Sequence, residues 1–401
     1  PSRPNSNGKN KEKVPLGSGS GVILSADGYI LTNHHVVTAD GNRPAEEILV
    51  RLSDNREFKA TLVGSDPKTD IAVLKIDAKD LPFATVADSD SLRVGDIVFA
   101  IGNPMQVGTT VTMGIVSAMG RSELNIISSQ SGVQGYENFI QTDASINPGN
   151  SGGALVDAKG NLVGINTAIL SRSGGNIGIG FAIPVNMARG VLEDIVSKGS
   201  VDRGYLGVRI ANLNSDLSEA FGLKSNQGAL VEAVEENSPA DKAGIKRGDV
   251  ITSINSKRVQ NAPELRLKVS QISPGDKATL EIIRGGKPMS LTLNVGNLEE
   301  ALASAETKAG ELLEGVNVAP LSESLREKYN IDPAVKEGLV ITQTRGNSPY
   351  ARTLREGMVI VEINDQAAKD LGNAKKAVAK GINKFWIYHR GGYNFIAIRT
   401  S

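Results

Sequence analysis

The segment Gly149-Asn150-Ser151-Gly152-Gly153 carries the sharpest chemical signal in this 401-residue chain. A nucleophilic serine needs a tight turn whose backbone N–H groups face the oxyanion that develops on the substrate carbonyl. Glycines beside the serine supply the unusual φ angles of such a turn and let a substrate backbone come close. An ordinary glycine-rich turn is the competing interpretation and stays open on this segment alone, because Ser and Gly are common in turns.

The three histidines decide between two hydrolase designs. Gly-x-Ser-x-Gly is also the nucleophile elbow of α/β-hydrolases, in which the acid and then the histidine follow the serine. His389 alone follows Ser151, and it lies in a strand-like run where a half-exposed structural histidine is expected. The elbow also needs a helix after the serine, whereas Ala154–Val156 predicts a strand. We therefore exclude the α/β-hydrolase arrangement.

The remaining histidines, His34 and His35, precede Ser151, and a candidate acid lies between them and the serine. Asp70 opens an apolar strand-like run, which is a costly place for a carboxylate without a partner. The order His, Asp, Ser is that of chymotrypsin, with serine as nucleophile, histidine as general base and then acid, and aspartate holding the imidazole tautomer. Other aspartates satisfy this order but lie in turn-like or polar contexts that predict solvated side chains. They are Asp66, Asp77 and Asp143.

Short apolar runs separated by turn residues must position these side chains. An Asp-Gly pair at Asp27-Gly28 lies between the β-prone runs Gly21–Leu24 and Tyr29–Thr32 and predicts a hairpin. The spacing of the runs predicts one or two antiparallel barrels. Val185–Ser197 predicts an amphipathic helix that closes this region. The other predicted strands are Ile48–Leu52, Phe58–Val63, Ile71–Ile76, Ile97–Ile101, Thr110–Val116, Phe139–Gln141, Ala154–Val156 and Leu162–Asn166.

The composition excludes several classes of protein. Lys+Arg and Asp+Glu both number 44, so the formal net charge is +0, which argues against a nucleic-acid binder. Cysteine is absent from the chain, which excludes disulfide frameworks, thiolate zinc sites and cysteine nucleophiles. The sequence contains no run of about 18 apolar residues, which is the length that a membrane-spanning helix needs. Adjacent histidines do not share a face and no third ligand lies nearby, so we expect no metal site and no other cofactor.

The second half of the chain contains one module twice. Its copies occupy residues 203–298 and 314–401, and the intervening residues 299–313, rich in Ala and Glu, predict a helical linker. Residues 1–16 predict a disordered segment, because Pro1–Lys13 has no apolar side chain to bury. Residues 17–200 form the unit with the candidate triad. The recurring motifs are Gly228–Val231 and Gly338–Ile341, Asn237–Pro239 and Asn347–Pro349, Gly248–Ile251 and Gly357–Ile360, and Arg284–Gly286 and Arg390–Gly392.

Three motifs in this order, followed by a tandem repeat, make the chain resemble the HtrA/Deg family of serine proteases. The likeness runs from Gly17 to the C-terminus. It implies a mainly β fold, with a chymotrypsin-like double β-barrel protease domain followed by two PDZ domains of α+β type. The family pattern includes a further apolar strand upstream of Gly17, and we expect that this sequence omits it. The motifs are Thr32–Val36, Thr69–Ala72 and Gly149–Leu155.

The resemblance assigns roles to the residues of these motifs. It implies that His35, Asp70 and Ser151 form the catalytic triad and that His34 has no catalytic role. It also implies an oxyanion hole made of backbone N–H groups. The donors that it implies are those of Gly149, Asn150 and Ser151.

The resemblance also marks activation loops and a specificity pocket. Arg121–Glu137 is similar to the regulatory loop, and Arg121 matches an arginine that relays activation. The pocket stretch is apolar, and Ser145 stands six residues before the nucleophile, where trypsin-like enzymes place a carboxylate. Both features favour cleavage after small aliphatic residues. The other two loops are Met105–Thr109 and Ala168–Gly178, and the pocket residues are Ile177, Gly178, Ile179 and Phe181.

Each copy of the repeated module resembles a PDZ domain, which binds extended C-terminal peptides by strand addition and holds the terminal carboxylate with backbone N–H groups. Asn261–Gln271 is the groove helix that the resemblance implies in the first copy. In the second copy the loop reads Gly315–Val318, with Asn317 in place of the glycine, so a role in peptide binding and a role in assembly both stay open. The carboxylate-binding residues implied in the first copy are Tyr205, Leu206, Gly207 and Val208.

The function that the resemblance implies is an ATP-independent serine endopeptidase that degrades unfolded or misfolded proteins through an acyl-enzyme. Its PDZ domains recruit the substrate and activate the protease, and chaperone activity accompanies proteolysis. The expected partners are unfolded polypeptides, C-terminal peptides and further copies in trimers or multiples of trimers, in the periplasm after loss or omission of a signal peptide. A chaperone or peptide-binding scaffold with a vestigial protease site is the alternative, and the intact triad residue types argue against it.

Overall fold

The computed structural model describes residues 17–39, 43–104, 108–127, 135–169, 176–307 and 309–400, together with the backbone of Ser2–Arg3 and Val14–Pro15. The chain divides into two compact units, Pro1–Val201 and Asp202–Ser401. The first unit contains the candidate triad, and the second contains both copies of the repeated module.

Antiparallel strands dominate the first unit, because runs of β-branched and apolar residues alternate with turn residues along it. Each strand predicted from the sequence is present, with ends shifted by a few residues. The elements in chain order are β1 (Ser2–Arg3), β2 (Val14–Pro15), β3 (Val22–Ile23), β4 (Tyr29–Thr32), α1 (His34–Val37), β5 (Thr38–Ala39), β6 (Arg43–Pro44), β7 (Ile48–Arg51), β8 (Glu57–Asp66), β9 (Ile71–Lys75), β10 (Ile97–Gly102), β11 (Thr110–Arg121), β12 (Phe139–Thr142), β13 (Ala154–Asp157), β14 (Leu162–Ile169), β15 (Gly180–Pro184) and α2 (Val185–Lys198).

The first sheet of this unit has the strand order β3-β4-β9-β8-β7. The predicted hairpin joins β3 to β4, and Gly28 takes a φ of 99° at its turn. Ile30, Ala72 and Leu74 belong to the apolar core beneath the sheet. Strand β9 is central and buried, and it cannot shift without exposing apolar core. Asp70, which immediately precedes β9, is therefore held in place.

The second sheet closes into a barrel in the order β10-β11-β12-β15-β14-β13. Val98, Ile140 and Leu155 belong to its apolar core. The spacing of the runs predicts one or two barrels and the resemblance implies two; over the described residues this is the one that closes. Strand β15 was not predicted as a strand, because Gly180 and Pro184 at its ends resemble turn residues.

The second unit alternates strands with short helices. Its elements in chain order are β16 (Gly204–Tyr205), β17 (Val208–Asn212), α3 (Ser215–Ala220), β18 (Ala229–Val234), α4 (Pro239–Lys242), β19 (Val250–Ile254), β20 (Lys257–Arg258), α5 (Ala262–Ser270), β21 (Lys277–Arg284), β22 (Lys287–Asn294), β23 (Gly296–Asn297), α6 (Leu298–Thr307), β24 (Gly310–Leu313), β25 (Val316–Pro320), α7 (Glu323–Tyr329), β26 (Leu339–Thr344), β27 (Val359–Ile363), β28 (Gln366–Ala367), α8 (Leu371–Ala377), β29 (Gly381–His389) and β30 (Gly392–Thr400).

The two modules of this unit repeat one topology. The first is a sheet in the order β17-β18-β19-β21-β22, and the second runs β25-β26-β27-β29-β30 with β24 added beside β25. Strand β24 lies inside the range predicted as linker, and its Leu312 and Leu313 enter the core of the second module. Helix α6 packs Leu298 and Leu302 into a further apolar cluster. The predicted linker is therefore a packed helix followed by the first strand of the second sheet.

The glycine of the carboxylate-binding loop has its counterpart at Gly315 and not at Asn317. Gly207 has a φ of 79°, and a Cβ there would lie 2.2 Å from the Cβ of Ser238. Gly315 has a φ of 71°, and its Cβ would meet Ser348 in the same way at 2.9 Å. Asn317 lies within the strand β25. The prediction that asparagine replaces the glycine is wrong, because the serine of the repeated Asn-Ser-Pro motif packs against the glycine in both copies.

The N-terminal segment departs from the predicted disorder at the residues described there. The backbone of Ser2–Arg3 pairs with that of Val14–Pro15. Such pairing uses backbone groups and needs no apolar side chain. The rest of Pro1–Lys13 lies outside the described residues.

A buried ion pair in the first module leads to a prediction about stability. Arg284 donates from Nε and a terminal nitrogen to the two carboxylate oxygens of Asp249, at 2.7 Å each, and the Asp249 side chain is 1% exposed. Arg284→Met leaves this buried carboxylate without its cation. We expect the free energy of unfolding of the second unit to fall by about 3 kcal/mol, measured by urea denaturation of the full chain.

Lys369→Met is the control for this prediction. Lys369 pairs with Glu337 at 3.2 Å in the second module, with both side chains more than half exposed. An exposed pair contributes about 0.5 kcal/mol, so this variant should unfold almost as the parent does. Equal losses in the two variants would contradict the structural role assigned to Asp249.

Candidate active site

His35 and Asp70 form a hydrogen-bonded pair. Nδ1 of His35 lies 2.8 Å from Oδ2 and 3.0 Å from Oδ1 of Asp70. The backbone N–H of His35 also donates to Oδ1, at 3.0 Å. Since a carboxylate accepts hydrogen bonds and does not donate them, Nδ1 carries the proton and Nε2 is left as an acceptor. This is the tautomer that a general base beside a serine requires.

Asp70 is held in place by groups from several elements. Its side chain is almost fully buried, and its φ of 57° lies in the left-handed region, which aspartate tolerates better than most residues. Thr167 Oγ1 donates to Asp70 Oδ2 at 2.6 Å. Asn33 Nδ2 and the backbone N–H of His34 both donate to the Asp70 carbonyl, at 3.0 and 3.1 Å. The carboxylate therefore has one orientation, aimed at His35.

Thr167 is a site residue that sequence reasoning missed. It lies in strand β14, 97 positions after the aspartate that it contacts. No motif around it distinguishes it from any other buried strand threonine. The fold alone brings its hydroxyl to Asp70, and its carbonyl to Ser151.

The neighbouring candidates take other positions. Nδ1 of His34 lies 3.0 Å from Ser65 Oγ. Asp77 and Asp143 are exposed, as predicted for solvated carboxylates. Asp66 is buried, and the prediction of a solvated side chain is wrong for it. It accepts from Thr69 Oγ1 at 2.5 Å and from the Lys68 N–H at 3.2 Å, so it stabilises the turn that leads into β9.

Ser151 lies at the glycine turn with its hydroxyl directed to a backbone carbonyl. Its Oγ donates to the Thr167 carbonyl at 3.1 Å. Gly152 has a φ of 83°, and a Cβ there would lie 2.2 Å from both the Ser20 carbonyl and Thr32 Oγ1. At Gly153 a Cβ would lie 2.2 Å from the Ile101 carbonyl. The glycines are thus required by close packing of the turn against two strands.

One of the three predicted oxyanion donors already makes a hydrogen bond within the turn. The backbone N–H of Asn150 donates to the Asn147 carbonyl at 2.9 Å, closing the turn. Asn150 therefore does not supply an oxyanion donor, and that prediction is corrected. Gly149, with a φ of 100°, and Ser151 are left as the candidate donors.

The predicted specificity residues differ in how exposed they are. Ile177 and Gly178 are exposed, and Asn176 anchors this stretch by donating from Nδ2 to the Ile146 carbonyl at 3.0 Å. Phe181 is 2% exposed, with its ring 5.7 Å from that of Phe139, so its side chain is buried on the strand face opposite Ala182, which lies in the barrel core. Its role in the specificity pocket stays a prediction. Ile179 is half-buried and Ser145 is exposed.

The described parts of the predicted regulatory loop converge on one carboxylate. Glu137 accepts from the backbone N–H groups of Leu124, Asn125 and Ile127, at 2.7, 3.1 and 3.0 Å. Arg121 ends β11, where its Nε donates to Gln141 Oε1 at 2.8 Å. Residues 105–107, 128–134 and 170–175 of the three predicted loops lie outside the described residues.

The predicted carboxylate-binding loop of the first module is ordered by its neighbours. The Tyr205 hydroxyl donates to Glu235 at 2.6 Å, and burial together with that carboxylate raises the pKa of Tyr205 above its ordinary value. Leu206 is buried in the module core, and Val208 packs against it. In the second copy Glu314 precedes the glycine where Leu206 precedes Gly207. A carboxylate there would repel the terminal carboxylate of a peptide.

Within the described ranges no helix has both the length and the apolar character needed to cross a membrane. Among the same residues no group of three or more His, Asp and Glu side chains is placed to hold a metal ion.

Comparison with known proteins identifies both kinds of domain. A family model described as a trypsin-like peptidase domain matches residues 19–165, and one described as a PDZ domain matches residues 204–295. The periplasmic serine endoprotease DegP of Escherichia coli (strain K12) is 44% identical over 375 residues, which cover 93% of this chain and 74% of that protein. DegP of Salmonella typhimurium is 44% identical over 373 residues, covering 92% and 73%. A probable DegP-like endoprotease of Pseudomonas putida (strain GB-1) is 43% identical over 394 residues, covering 96% and 78%.

Solved structures of HtrA-type proteases also match this chain. The HtrA-type protease AlgW with a decapeptide is 48% identical, with a TM-score of 0.58, and the match covers 73% of this chain and 86% of that one. AlgW with a tripeptide is 50% identical, with a TM-score of 0.59 and coverage of 70% and 89%. The matches confirm the mainly β fold, the trypsin-like and PDZ domains and the resemblance drawn from the three motifs. The chain belongs to the HtrA/Deg family of serine endoproteases.

Proposed function

We propose that this endoprotease degrades unfolded or misfolded polypeptides without ATP, through an acyl-enzyme formed on Ser151. The observation that carries the proposal is the His35–Asp70 pair, with Nδ1 bonded to the carboxylate at 2.8 Å, linked through Thr167 to Ser151 in its glycine turn. The absence of a nucleotide-binding loop pattern from the sequence agrees with energy independence.

Acylation begins with a rotation of Ser151. Its hydroxyl leaves the Thr167 carbonyl, 3.1 Å away here, and turns to Nε2 of His35. His35 takes the hydroxyl proton as Oγ attacks the scissile carbonyl, and the N–H groups of Gly149 and Ser151 bind the oxyanion. Asp70 stabilises the imidazolium that forms. His35 then protonates the amine, which leaves as the C–N bond breaks.

Deacylation uses the same groups in reverse. Water enters where the amine left and gives its proton to Nε2 of His35 as its oxygen attacks the acyl carbon. The second tetrahedral intermediate collapses, and the proton returns from His35 to Ser151 Oγ. The product is a free carboxylate, and the serine is restored.

The test uses one polypeptide in two states. A reduced and carboxymethylated protein should be cut in the absence of nucleotide, while its native form stays intact. Diisopropyl fluorophosphate should stop the cleavage and label the tryptic peptide that contains Ser151. A label on a different serine, or cleavage that continues after complete labelling, would contradict the assignment.

The pocket proposal gives a prediction about specificity. Ser145 supplies no carboxylate at the position where trypsin-like enzymes carry one, and the stretch around Ile179 is apolar. Cleavage after Val or Ala should exceed cleavage after Lys or Arg by about 100-fold in kcat/KM, because a cation would be buried there without a partner. Mass spectrometry of the products from a peptide library measures this ratio, and a preference for basic residues would refute it.

The remaining proposals concern partners and location. The first module binds C-terminal peptides at Tyr205–Val208, a role supported by its PDZ match and by the peptide-bound AlgW structures. The chain acts in the periplasm, because its DegP relatives are named periplasmic endoproteases. It assembles into trimers or multiples of trimers and holds unfolded chains as a chaperone. Mass photometry with and without an unfolded substrate tests the assembly, and a monomer under both conditions would refute it.

A further inference from the structure

Ser20 connects the serine turn to two other parts of the first unit. Its Oγ donates to the Gly149 carbonyl at 2.7 Å and accepts from the Asn103 N–H at 2.9 Å. Its backbone N–H donates to the Ser151 carbonyl at 2.8 Å. Its own carbonyl accepts from Thr32 Oγ1 at 2.7 Å. One residue thus contacts the turn twice and also contacts the segment that leads to His35.

These bonds fix the peptide groups around the candidate oxyanion donors. The peptide between Gly149 and Asn150 is held at both ends, by Ser20 Oγ on its carbonyl and by Asn147 on its N–H. This peptide lies between the two donors, so its orientation sets where both N–H groups point. The Ser20 N–H holds the carbonyl that follows the second donor.

The surroundings leave the Ser20 hydroxyl little freedom. A Cβ on Gly102 would lie 3.0 Å from Ser20 Oγ and 2.6 Å from Asn150 Oδ1, so strand β10 approaches the turn closely here. The hydroxyl therefore has one place in which it can donate to Gly149 and accept from Asn103 together.

We propose that Ser20 is a positioning residue, whose hydroxyl orients the Gly149 and Ser151 N–H groups toward the oxyanion. The proposal rests on the proposed function of Ser151. It acts on the transition state, because the oxyanion exists there and not in the bound substrate. Loss of the hydroxyl should lower kcat and leave KM unchanged.

The test compares Ser20→Ala with Ser25→Ala, which removes a hydroxyl from the β3–β4 turn. Ser25 Oγ accepts from the Tyr29 N–H at 3.0 Å within that turn. We expect Ser20→Ala to lower kcat on a peptide substrate about tenfold, below the loss for removing an oxyanion donor outright. Ser25→Ala should keep the parent kcat, and Ser20→Thr, which keeps a hydroxyl, should recover most of the loss.

A pair of inhibitors separates positioning from general damage. A peptide boronic acid forms a tetrahedral adduct on Ser151 with an oxygen in the oxyanion site, and the matching peptide amide does not. Ser20→Ala should bind the boronic acid about tenfold more weakly and the amide equally well. Equal losses for both ligands, or a lower melting temperature with kcat unchanged, would overturn the proposal. Failure of the parent chain to label at Ser151 would refute the proposed function instead.

A different observation concerns the peptide groove of the first module. Strand β17 is an edge of its sheet, and α5 packs beside it; peptides add to such an edge in PDZ domains. Helix α7 of the second module forms ion pairs with both sides of this groove, β17 and α5. Glu323 lies 3.5 Å from Arg209 of β17, and Glu327 lies 3.1 Å from Arg266 of α5. The two glutamates are one helical turn apart, so they share a face of α7.

Further contacts place α7 against the carboxylate-binding loop. The backbone N–H of Glu323 donates at 3.2 Å to the same Glu235 oxygen that accepts from the Tyr205 hydroxyl. Tyr205 shares an apolar cluster with Leu325 of α7. Burial raises the pKa of Glu323 above its ordinary value, which agrees with a carboxyl enclosed between the modules.

We infer that α7 closes the peptide groove of the first module, so that a C-terminal peptide binds after α7 has moved away. The inference rests on the proposed peptide binding by that module. An acidic peptide is the fitting ligand, since its carboxylates can replace Glu323 and Glu327 on Arg209 and Arg266. The apparent association constant for peptide is the intrinsic constant multiplied by the fraction of molecules in which the groove is open.

The test measures peptide binding in the Ser151→Ala background, where no cleavage occurs. A fluorescent peptide with an apolar C-terminus preceded by acidic residues is the probe. Glu323→Gln with Glu327→Gln should raise its affinity about tenfold, because the closed state loses both ion pairs. Glu337→Gln, on an exposed pair of the second module, is the control and should leave affinity unchanged. Equal affinities for the double variant and its parent would overturn the closure, whereas a lack of binding by every variant would refute the peptide site itself.

Discussion

Ser151→Ala is expected to lower kcat for peptide hydrolysis by about 10⁶-fold, the size of loss typical for removal of a serine nucleophile. The alanine lacks the oxygen that forms the acyl bond, so His35 and the oxyanion donors have no covalent intermediate to serve. The fold should be unaffected, because among the described residues the side chain makes a single hydrogen bond, to the Thr167 carbonyl. Casein hydrolysis by the purified variant measures the effect.

The same variant separates protease from chaperone. If the chain also holds unfolded polypeptides, Ser151→Ala should retain reduced casein during gel filtration while producing no fragments. Ser197→Ala, which removes an exposed helix hydroxyl bonded to the Glu193 carbonyl, is the control and should both bind and cleave. Cleavage by Ser151→Ala at the parent rate would eliminate the acyl-enzyme proposal, and failure to retain casein would eliminate the chaperone proposal.

Local patterns in the sequence predict the longer strands of the first unit except β15, and they single out three candidate site residues. Ser151, His35 and Asp70 lie in short motifs whose residue types are themselves the chemistry, and their order along the chain excluded the rival hydrolase. The strands were predictable because each is a short apolar run bounded by turn residues. The helix α2 showed the same kind of local signal, an amphipathic period.

The contacts that sequence reasoning missed are all between residues far apart in the chain. Thr167 bonds to Asp70 from a strand, and Ser20 bonds to Gly149 from the segment before β3, each through an ordinary hydroxyl. Nothing in a lone threonine or serine indicates which distant carboxylate or carbonyl its hydroxyl will bond to, because tertiary packing decides that. Asp66 was misjudged for the same reason, since burial of its turn depends on tertiary packing.

Asp70→Asn is expected to lower kcat by about 10⁴-fold with a small effect on KM, comparable with the loss for the equivalent change in chymotrypsin-like enzymes. The carboxylate accepts from three donors, namely the Nδ1 and backbone N–H groups of His35 and the Thr167 hydroxyl. An amide has one acceptor oxygen, and its NH₂ group facing Nδ1 favours the imidazole tautomer with the proton on Nε2. That tautomer cannot take the proton from Ser151. Steady-state kinetics on a chromogenic peptide measures the loss.

Asp66→Asn is the matched control, because it makes the same chemical change four residues earlier in a carboxylate that is equally buried. Asp66 accepts from Thr69 Oγ1 and the Lys68 N–H, and neither of these bonds involves His35. Loss of that capping should lower the melting temperature while kcat stays within about twofold of the parent, since the imidazole tautomer is untouched. Asp70→Asn also loses hydrogen bonds of a buried carboxylate, so the two variants are distinguished by kcat, which only Asp70→Asn should lose, and not by melting temperature. If both variants lost kcat to the same extent, disruption of the loop would explain the loss, and Asp70 would have no separate role in orienting His35.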